Sequence, residues 1–262
     1  MGRSRTDQVF TQRVSFSESS RTLDHLIVEE PMSIRLNETL VATTMRTPGN
    51  DFELAAGFCI TEGLLGLAKI DSIRYCAQAP ALEADFNDVT VETLGNVPIP
   101  TARLGPASSS CGICGTVAIE DLLNRLSPLT IQPFDLSVLA NVGEKVSSHQ
   151  KLFKSTGSVH AAAAFDRTGE LLVVREDIGR HNAVDKVIGR LYFDQIPQAG
   201  DLGLWVSGRI SFEIVQKAWA AGFAALVGVS GPSALAIKTA ETAGIQVLGF
   251  VREGNFNVYT GQ

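Results

Sequence analysis

Residues 202–251, LGLWVSGRISFEIVQKAWAAGFAALVGVSGPSALAIKTAETAGIQVLGFV, contain the pattern that decides the fold. Three short apolar runs in this stretch suit buried strands, and the two segments between them carry apolar residues at helical spacing. In chain order these elements are 202–206, 211–221, 224–229, 232–243 and 246–251. Strands that alternate with helices favour a mainly parallel sheet with helices packed on both faces. We therefore predict an α/β fold for this half of the chain.

The sequence before this stretch predicts regions of different character. Residues 1–20 are polar and predict a flexible N-terminal arm. Residues 21–130 predict a smaller α+β domain, in which a hairpin is followed by a helix that Asp51 caps. A proline-containing break then leads into residues 131–262, the predicted α/β domain, which begins with a helix capped by Asp135.

Composition and charge limit what the chain can do. The 262 residues carry a formal net charge of −6 at pH 7, which argues against binding along a nucleic acid backbone. Four cysteines do not form a disulfide scaffold and fit a reducing compartment. The first residues contain no apolar signal segment, and the apolar run at 218–229 is short of the about 20 residues that a membrane span needs. We therefore predict a soluble cytoplasmic protein that contacts no nucleic acid and no membrane.

Cys111 and Cys114 form a Cys-x-x-Cys pair within SSSCGICG, residues 108–115. Residues 116–126 follow with apolar positions at helical spacing, so the pair is predicted on a loop that runs into a helix N-terminus. Free amides and the helix dipole favour thiolate there, and such a site can lower a cysteine pKa from about 8.5 to roughly 3.5–7.5. The resulting thiolate would be a nucleophile able to attack a disulfide or persulfide sulfur.

Several interpretations of this pair remain open. The first is sulfur or redox chemistry on Cys111. The second is half of a zinc site, although the remaining Cys59, Cys76 and four histidines offer no second pair at ligand spacing. A pair of buried core residues is the least favoured, because a Ser/Gly-rich segment is a poor core. A thioredoxin-like dithiol would follow a strand, whereas proline-rich sequence precedes this pair. Cys59 itself lies on the apolar face of its predicted helix, which favours a core residue, and Cys76 is ambiguous.

Three polar clusters, at 207–211, 230–233 and 250–255, lie where the predicted parallel strands end. The carboxyl ends of parallel strands share one edge of a sheet, where hydroxyls, helix-start amides and arginines can hold a phosphate. Each cluster alone would be an ordinary turn, but together they predict an anionic, nucleotide-like ligand. Phe250 could stack on a guanine or pterin ring, and Asn255 could bond its edge. The candidate binding residues are Ser207, Gly208, Arg209, Ser230, Ser233, Phe250, Val251, Arg252, Glu253, Gly254 and Asn255.

A fourth cluster, residues 176–186, places many ionisable groups at the start of a predicted helix. Asp177, His181 and Lys186 could orient a ligand or move protons, or they could be the solvated charges of an ordinary helix start. His160 lies in an otherwise apolar strand and, taken alone, favours a hydrogen-bonded core histidine. The hairpin that contains His160 is expected to bring it toward this cluster.

These motifs resemble those of the FdhD family of sulfur carriers, which are needed for formate dehydrogenase maturation. The resemblance extends from about residue 22 to the C-terminus. The matching residues are the Cys111 and Cys114 pair, Thr156-Gly157, His160, the run at 176–186, Ser207-Gly208-Arg209, Phe212-Glu213 and Pro232-Ser233.

The resemblance implies a sulfurtransferase. A cysteine desulfurase would hand a sulfane sulfur to Cys111, the persulfide carrier, with Cys114 as the second cysteine of the pair. The sulfur would then move to the molybdenum (or tungsten) bis-guanine-dinucleotide cofactor, which the family pattern places at residues 250–255, before the cofactor enters formate dehydrogenase. The resemblance also suggests a homodimer.

The second half also looks like the cytidine-deaminase-like fold, a mixed sheet with helices on both faces. His181 falls near the zinc histidine of such deaminases. However, no Pro-Cys-x-x-Cys opens the next helix, which begins at residues 211–213, so we predict no structural metal. A non-catalytic chaperone for the cofactor and a zinc or nucleotide hydrolase on this scaffold remain as alternative functions.

Overall fold

The computed structural model describes residues 3–75, 86–98, 120, 122–196 and 200–261. Within these residues the strands are β1 (Thr6–Val14), β2 (Ser19–Ile27), β3 (Glu30–Leu36), β4 (Thr39–Arg46), β5 (Lys69–Tyr75), β6 (Asp88–Leu94), β7 (His160–Phe165), β8 (Leu171–Asp177), β9 (Gly203–Val206), β10 (Ala225–Gly228), β11 (Gln246–Arg252) and β12 (Asn255–Thr260). The helices are α1 (Asp51–Thr61), α2 (Leu136–His149), α3 (Lys151–Thr156), α4 (Arg180–Phe193), α5 (Phe212–Ala220) and α6 (Ala234–Ala243).

The largest sheet has six strands in the order β12-β11-β10-β9-β7-β8. Strands β9, β10 and β11 are parallel to one another, and β7, β8 and β12 are antiparallel to their neighbours. The predicted alternation of strands and helices within residues 202–251 is confirmed. The mixed α/β character is confirmed as well, while the more specific deaminase-like arrangement stays a prediction.

Helices cover both faces of this sheet, as the sequence predicted. On one face, Leu139, Val142 and Val146 of α2 pack with Ala163 and Trp205 of the sheet. The opposite face packs against α4, α5 and α6, whose buried members include Val187, Ile188, Val215, Trp219, Ala236 and Ala240. Since both faces are buried, the parallel strands consist of near-continuous apolar residues, which made them recognisable in the sequence.

A four-stranded sheet, in the order β4-β3-β6-β5, packs against α1. Its core includes Ile34 and Val89 of the sheet with Leu54 and Cys59 of the helix. None of the helices in the described residues is long and apolar enough to cross a bilayer. The division of the chain into domains near residue 130 stays a prediction.

Residues 1–20 differ from the predicted flexible arm. Thr6–Val14 forms β1, which pairs with β2 as a separate two-stranded antiparallel sheet. The sequence does not predict this strand because its residues are mostly polar. Main-chain hydrogen bonds hold the ribbon together, and it buries little apolar surface.

Helix α1 crosses α4 at a contact made by glycine. A Cβ built on Gly57 would lie 1.9 Å from the carbonyl oxygen of Asp185, and one built on Gly189 would lie 1.9 Å from that of Glu53. The two backbones approach so closely that neither position has room for a side chain, and glycine at both positions allows this contact. This crossing joins the four-stranded sheet to the six-stranded sheet.

The two predicted helix caps have different outcomes. Asp135 caps α2 as predicted, with its carboxylate accepting a hydrogen bond from the Ser137 amide at 2.7 Å. Asp51 is not the cap of α1: Asn50 occupies that position in a left-handed conformation, with φ of 58°. The Asp51 carboxylate instead pairs with the buried Arg46 at 2.9 Å. Burial of that guanidinium decides the outcome, since a buried charge needs a partner.

Candidate functional site

The three polar clusters that follow β9, β10 and β11 meet in space as expected; we call them together the strand-end edge (residues 207–211, 230–233 and 250–255). The amide of Ile210 donates to the carbonyl of Gly231 at 3.2 Å, and the amide of Ser233 donates back to the carbonyl of Ile210 at 3.0 Å. The amide of Phe250 donates to the carbonyl of Ser230 at 3.3 Å. Main-chain hydrogen bonds therefore fix the three clusters against one another.

The backbone of Phe250 adopts a left-handed conformation with φ of 57°, which is costly for a residue with a bulky side chain. The residue is 52% exposed, and its ring covers Gly231, where an added Cβ would lie 2.5 Å from the ring. The pairing of β11 with β12 is irregular between Gly249 and Arg252, which accommodates this residue. A strained, half-exposed aromatic ring is the kind of feature that occurs at binding sites.

The last cluster is part of a hairpin that the sequence did not predict. After β11, Glu253 and Gly254 have φ of 50° and 75°, the combination of a type I′ turn, and the chain returns as β12. Asn255 is the first residue of β12, and its side-chain amide donates to the Glu253 carbonyl at 3.2 Å. The cluster at 250–255 therefore forms the tip of a hairpin.

Two arginines give the strand-end edge exposed positive charge. Arg209 follows β9 and Arg252 ends β11, and both side chains are exposed. Within the part of the chain that the structure describes, neither makes an ion pair. Their guanidinium groups are therefore available to an anionic ligand.

Behind this edge, His160 and Ser207 are connected at the ends of β7 and β9. Ser207 Oγ accepts from the Ala161 amide at 3.0 Å and lies 3.3 Å from His160 Nδ1. Burial, and secondarily the nearby Arg180, lower the pKa of His160. In its neutral form the imidazole can accept a hydrogen bond from the Ser207 hydroxyl at Nδ1.

The first turns of α4 and α5 add further polar groups. His181 Nε2 lies 2.9 Å from the carboxylate of Glu213, and this close contact is the main cause of the lowered pKa of Glu213. Arg180 Nε and Ser211 Oγ are buried without a hydrogen-bond partner among the described residues. Arg180 and Ser211 belong to the predicted clusters at 176–186 and 207–211, but the sequence did not single out either as a binding residue, since nothing in their spacing distinguishes them from ordinary helix starts. Buried atoms of this kind are candidates for contacts to a ligand.

Asp177 and Lys186 lie in the interior, where with Asn182 and Thr47 they form what we call the buried polar network. The Asp177 carboxylate accepts from the Thr47 amide at 3.1 Å and from the Asn182 side chain at 3.0 Å. Lys186 Nζ lies 2.6 Å from Asp177 and donates to the Thr47 carbonyl at 2.9 Å. The network fastens α4 to the end of β4, so the polar atoms of Asp177 and Lys186 are used by contacts within the chain. The predicted ligand role for the two residues stays a prediction.

A second buried ion pair joins α1, α4 and α5. Lys217 Nζ contacts the two carboxylate oxygens of Asp185 at 3.0 and 2.9 Å and the hydroxyl of Thr61 at 2.9 Å. Burial raises the pKa of Asp185. Burial opposes the charge of Lys217, but Asp185 and Glu62 outweigh it and raise the pKa of the lysine.

The cysteine predicted to be a core residue is one. Cys59 is fully buried in α1, and burial, followed by the charges of Asp185 and Glu62, raises its pKa to about 12. Cys76, Cys111 and Cys114 lie outside the described residues. Among the residues that are described, no group of three or more His, Cys, Asp or Glu side chains could hold a metal ion.

Fold and site together define a class: a mixed α/β protein whose parallel strands end at an edge suited to an anionic ligand. The FdhD/NarQ family model matches residues 27–262, and the chain belongs to this family. A relative named "Sulfur carrier protein FdhD" from Mycolicibacterium paratuberculosis is 45% identical over 245 residues, covering 90% of this chain and 89% of the relative. A relative of the same name from Streptomyces avermitilis is 42% identical over 252 residues, covering 91% of this chain and 88% of the relative.

The fold is also similar to that of a solved structure. A crystal structure of a protein assigned as a formate dehydrogenase accessory protein of Desulfotalea psychrophila matches with a TM-score of 0.78 and 21% identity, covering 98% of both chains. At that identity the match supports the fold alone.

Proposed function

We propose that this chain is a sulfur carrier in the maturation of formate dehydrogenase. It accepts a sulfane sulfur from a cysteine desulfurase as a persulfide on Cys111. It then delivers that sulfur to a molybdenum or tungsten bis-guanine-dinucleotide cofactor before the cofactor enters formate dehydrogenase. Support comes from membership of the FdhD/NarQ family and from relatives that are named sulfur carrier proteins.

The chemistry of the cysteines supports Cys111 as the carrier. Cys59 is excluded as a nucleophile, because a buried thiol with a pKa of about 12 is protonated at neutral pH. Cys111 and Cys114, in contrast, lie two residues apart in a Ser/Gly-rich segment, the composition expected of an accessible loop. The pair therefore combines a nucleophile with a second thiol.

The sulfur transfer takes place in two exchange reactions between thiols and persulfides. The Cys111 thiolate attacks the outer sulfur of the desulfurase persulfide, forming a persulfide on Cys111 and releasing the desulfurase thiolate. The Cys114 thiolate then attacks the inner sulfur of that persulfide, forming a Cys111–Cys114 disulfide and releasing hydrosulfide as a ligand for the metal of the cargo. A cellular dithiol reduces the disulfide and returns the carrier to its starting state.

The strand-end edge is the structural observation that carries the cargo-binding part of the proposal. Arg209 and Arg252 supply positive charge that no described residue pairs with, and the exposed Phe250 ring offers a surface for a guanine or pterin. The first turns of α5 and α6 begin at Ser211 and Ser233 and add main-chain amides for phosphate. We assign the guanine-dinucleotide part of the cargo to this edge.

Mass spectrometry of the intact protein tests the carrier role. After incubation with a cysteine desulfurase and cysteine, we expect an adduct of about 32 Da, the mass of one sulfur atom bound as persulfide. Cys111→Ser should lose the adduct and the sulfuration of the cofactor, while Cys114→Ala should form the adduct and release sulfur more slowly. Cys59→Ala is the matched control and should load like the unmodified chain.

Equal loading of Cys111→Ser and the unmodified chain would rule out this carrier assignment. Cofactor binding without any persulfide in the unmodified chain would instead favour the non-catalytic chaperone.

A further inference from the structure

The outer edge of β8 borders a groove that neither the buried polar network nor the strand-end edge uses. Strand β8 is the last strand of the six-stranded sheet, so its outer side has no strand partner among the described residues. A cavity of about 580 Å³ is lined by residues 171–176 of this strand. This volume lies within the roughly 300–1,000 Å³ that is usual for binding sites. The groove is therefore large enough to hold a short stretch of another chain.

Two other parts of the chain line the groove together with β8. The lining residues outside the strand are Arg5, Asn50, His149, Lys151 and Leu152. Arg5 donates to the side-chain oxygen of Asn50 at 2.9 Å, which holds the guanidinium beside the start of α1. The Glu176 carboxylate accepts from the amides of Leu152 and Phe153 at 2.9 and 2.8 Å, which fastens α3 to the strand. The fold therefore fixes the shape of the groove.

The ladder on the other side of β8 shows which main-chain groups face the groove. The Ser207 amide donates to the Ala161 carbonyl at 3.0 Å, so the odd-numbered residues of β7 face β9 and the even-numbered ones face β8. Arg175 lies opposite an even-numbered residue of β7 and bonds to it. Since directions alternate along a strand, the amides of Val174 and Glu176 point outward to the groove. Neither amide has an acceptor among the described residues.

The β8 edge offers hydrogen-bond donors more readily than acceptors. The outward carbonyl of Val174 already accepts from Arg175 Nη1 at 2.9 Å. The same guanidinium is held in place by Glu53, whose Oε1 accepts from Nη2 at 2.8 Å. An occupant rich in carbonyl and carboxylate oxygens therefore suits this edge.

The charges around the groove also favour an acidic occupant. Arg5 and Lys151 are exposed, and within the described part of the chain neither makes an ion pair. Arg175 is a third cation, although it is paired with Glu53. Glu176 is the one carboxylate among the described lining residues, and two amides of α3 already bond to it. Positive charge therefore predominates at the groove.

We propose that the β8 edge binds an extended, acidic segment of a partner protein, which adds to the six-stranded sheet as a further strand. Carbonyl groups of the segment accept from the amides of Val174 and Glu176. Its acidic side chains lie near Arg5 and Lys151. In strand addition of this kind, main-chain hydrogen bonds give affinity and alternate side chains give specificity.

The length of the edge and its apolar residues define the segment further. At about 3.3 Å per residue, an extended segment of about six residues matches the length of 171–176. Leu172 is 40% exposed, so an apolar residue at alternate positions of the segment has a surface to contact. The segment should therefore alternate acidic and apolar residues.

NMR titration of the full chain with synthetic peptides tests this proposal. The probes are peptides of about six residues that alternate valine or leucine with glutamate. We expect the amide signals of Val174 and Glu176 to shift and their hydrogen exchange to slow, because strand addition engages both groups. A basic series with lysine in place of glutamate should bind about 10-fold more weakly or less.

Two variants separate the contribution of charge from that of the main chain. Lys151→Glu replaces attraction by repulsion, so affinity for the acidic series should fall about 10-fold. Lys154→Glu is its matched control, because Lys154 is exposed on the same helix but does not line the groove, and it should bind normally. Val174→Pro removes an outward amide at an edge position that tolerates proline and should abolish binding. Thermal unfolding checks that Val174→Pro remains folded.

The proposal is overturned if no acidic peptide shifts these amides at concentrations up to about 1 mM, or if Lys151→Glu binds as tightly as Lys154→Glu. Equal binding of the acidic and basic series would also overturn it. If inorganic phosphate or succinate alone perturbs Val174 and Glu176 as strongly as the peptides do, the groove is a site for small anions instead. Peptide binding needs no persulfide, so none of these results depends on sulfur transfer.

Discussion

The buried polar network and the strand-end edge are both rich in charged and polar residues. In the network these residues bond to one another inside the protein, whereas at the edge they face solvent. In the network, Asp177 and Lys186 are almost completely buried and bond to each other and to the end of β4. At the edge, Arg209 and Arg252 are exposed and, within the described residues, have no ionic partner. Clusters of polar residues that look alike in the sequence therefore lie in two different environments in the structure.

This difference predicts a structural role for the network and a binding role for the edge. A buried charge is tolerable only when it is paired and hydrogen-bonded, so a saturated network has no remaining capacity for a ligand. The edge keeps that capacity, because its guanidinium groups and some of its buried polar atoms have no partner among the described residues and its aromatic residue is strained. The network should therefore respond to mutation in stability, and the edge in ligand affinity.

The largest effect should come from breaking the network at Lys186. In Lys186→Met, Asp177 keeps its hydrogen bonds from main-chain amides and Asn182 but loses its cationic partner. We expect the free energy of unfolding to fall by about 3 kcal/mol, at the low end of the cost of breaking a buried ion pair. Urea denaturation measures this change, and calorimetry with GDP should show an unchanged affinity.

Lys238→Met is the matched control, since Lys238 is exposed on α6. Its free energy of unfolding should stay within about 0.5 kcal/mol of the unmodified chain. If Lys186→Met were as stable as this control, the network would not be what fastens α4 to β4. If a folded Lys186→Met variant no longer bound GDP, Lys186 would instead be assigned a role in ligand binding.

Arg209→Ala should have the next largest effect, and it should change ligand affinity instead of stability. A charge-assisted contact contributes roughly 1.5–3 kcal/mol, so GDP affinity should fall about 10- to 150-fold. The free energy of unfolding should barely change, because the side chain is exposed. Persulfide loading on Cys111 should survive, since that step needs the cysteine pair and the desulfurase.

Arg190→Ala is a suitable control. Arg190 lies near the C-terminal end of α4, whereas the first turn of α4 lies beside the strand-end edge, and Arg190 pairs with Asp194 at 2.6 Å. It should bind GDP normally. An unchanged GDP affinity in Arg209→Ala, or loss of loading together with affinity, would contradict the separation between the binding edge and the cysteine pair.

Phe250→Gly should change stability and affinity in opposite directions. Glycine adopts the left-handed conformation at φ of 57° without the cost that phenylalanine bears, so stability should be retained or rise by up to about 1 kcal/mol. Loss of the ring removes a stacking surface, and GDP affinity should fall about 10-fold. Thermal unfolding and calorimetry on the same preparation measure both. A destabilised variant with full affinity would show that the ring serves packing over Gly231 alone.

The elements that the sequence revealed are those whose signal is local. Leu204, Val206 and Leu226 belong to strands buried on both faces, so their apolar runs were recognisable. The sequence does not predict β1, because this strand is polar and exposed, nor β12, because the turn at Glu253 and Gly254 resembles the end of the last strand. Local signals therefore identified the core and missed its periphery.

Partners distant in the sequence could not be predicted. Asp185 bonds to Lys217, 32 residues away, and to Thr61, 124 residues away, and no spacing rule connects them. Asp51 matched a helix cap locally but is held by the buried Arg46. The strand-end edge was predictable because parallel strands that end side by side bring residues 207–211, 230–233 and 250–255 together through topology alone.

The smallest effect should come from the boundary between the two environments, where Glu213 is half-exposed beside His181. The close contact with His181 lowers the pKa of Glu213 below its ordinary value of 4.5. A carboxyl whose pKa is lower in the folded state stabilises the fold above its unfolded pKa, and this contribution disappears as the pH falls through the folded pKa. Because the Glu213 side chain is 44% exposed, solvent screening should limit the contribution to about 0.2–1 kcal/mol. Thermal unfolding of Glu213→Gln should therefore show a slightly lower midpoint than the unmodified chain at pH 6 and a matching midpoint near pH 3. Equal midpoints at both pH values would show that the His181–Glu213 contact does not stabilise the fold.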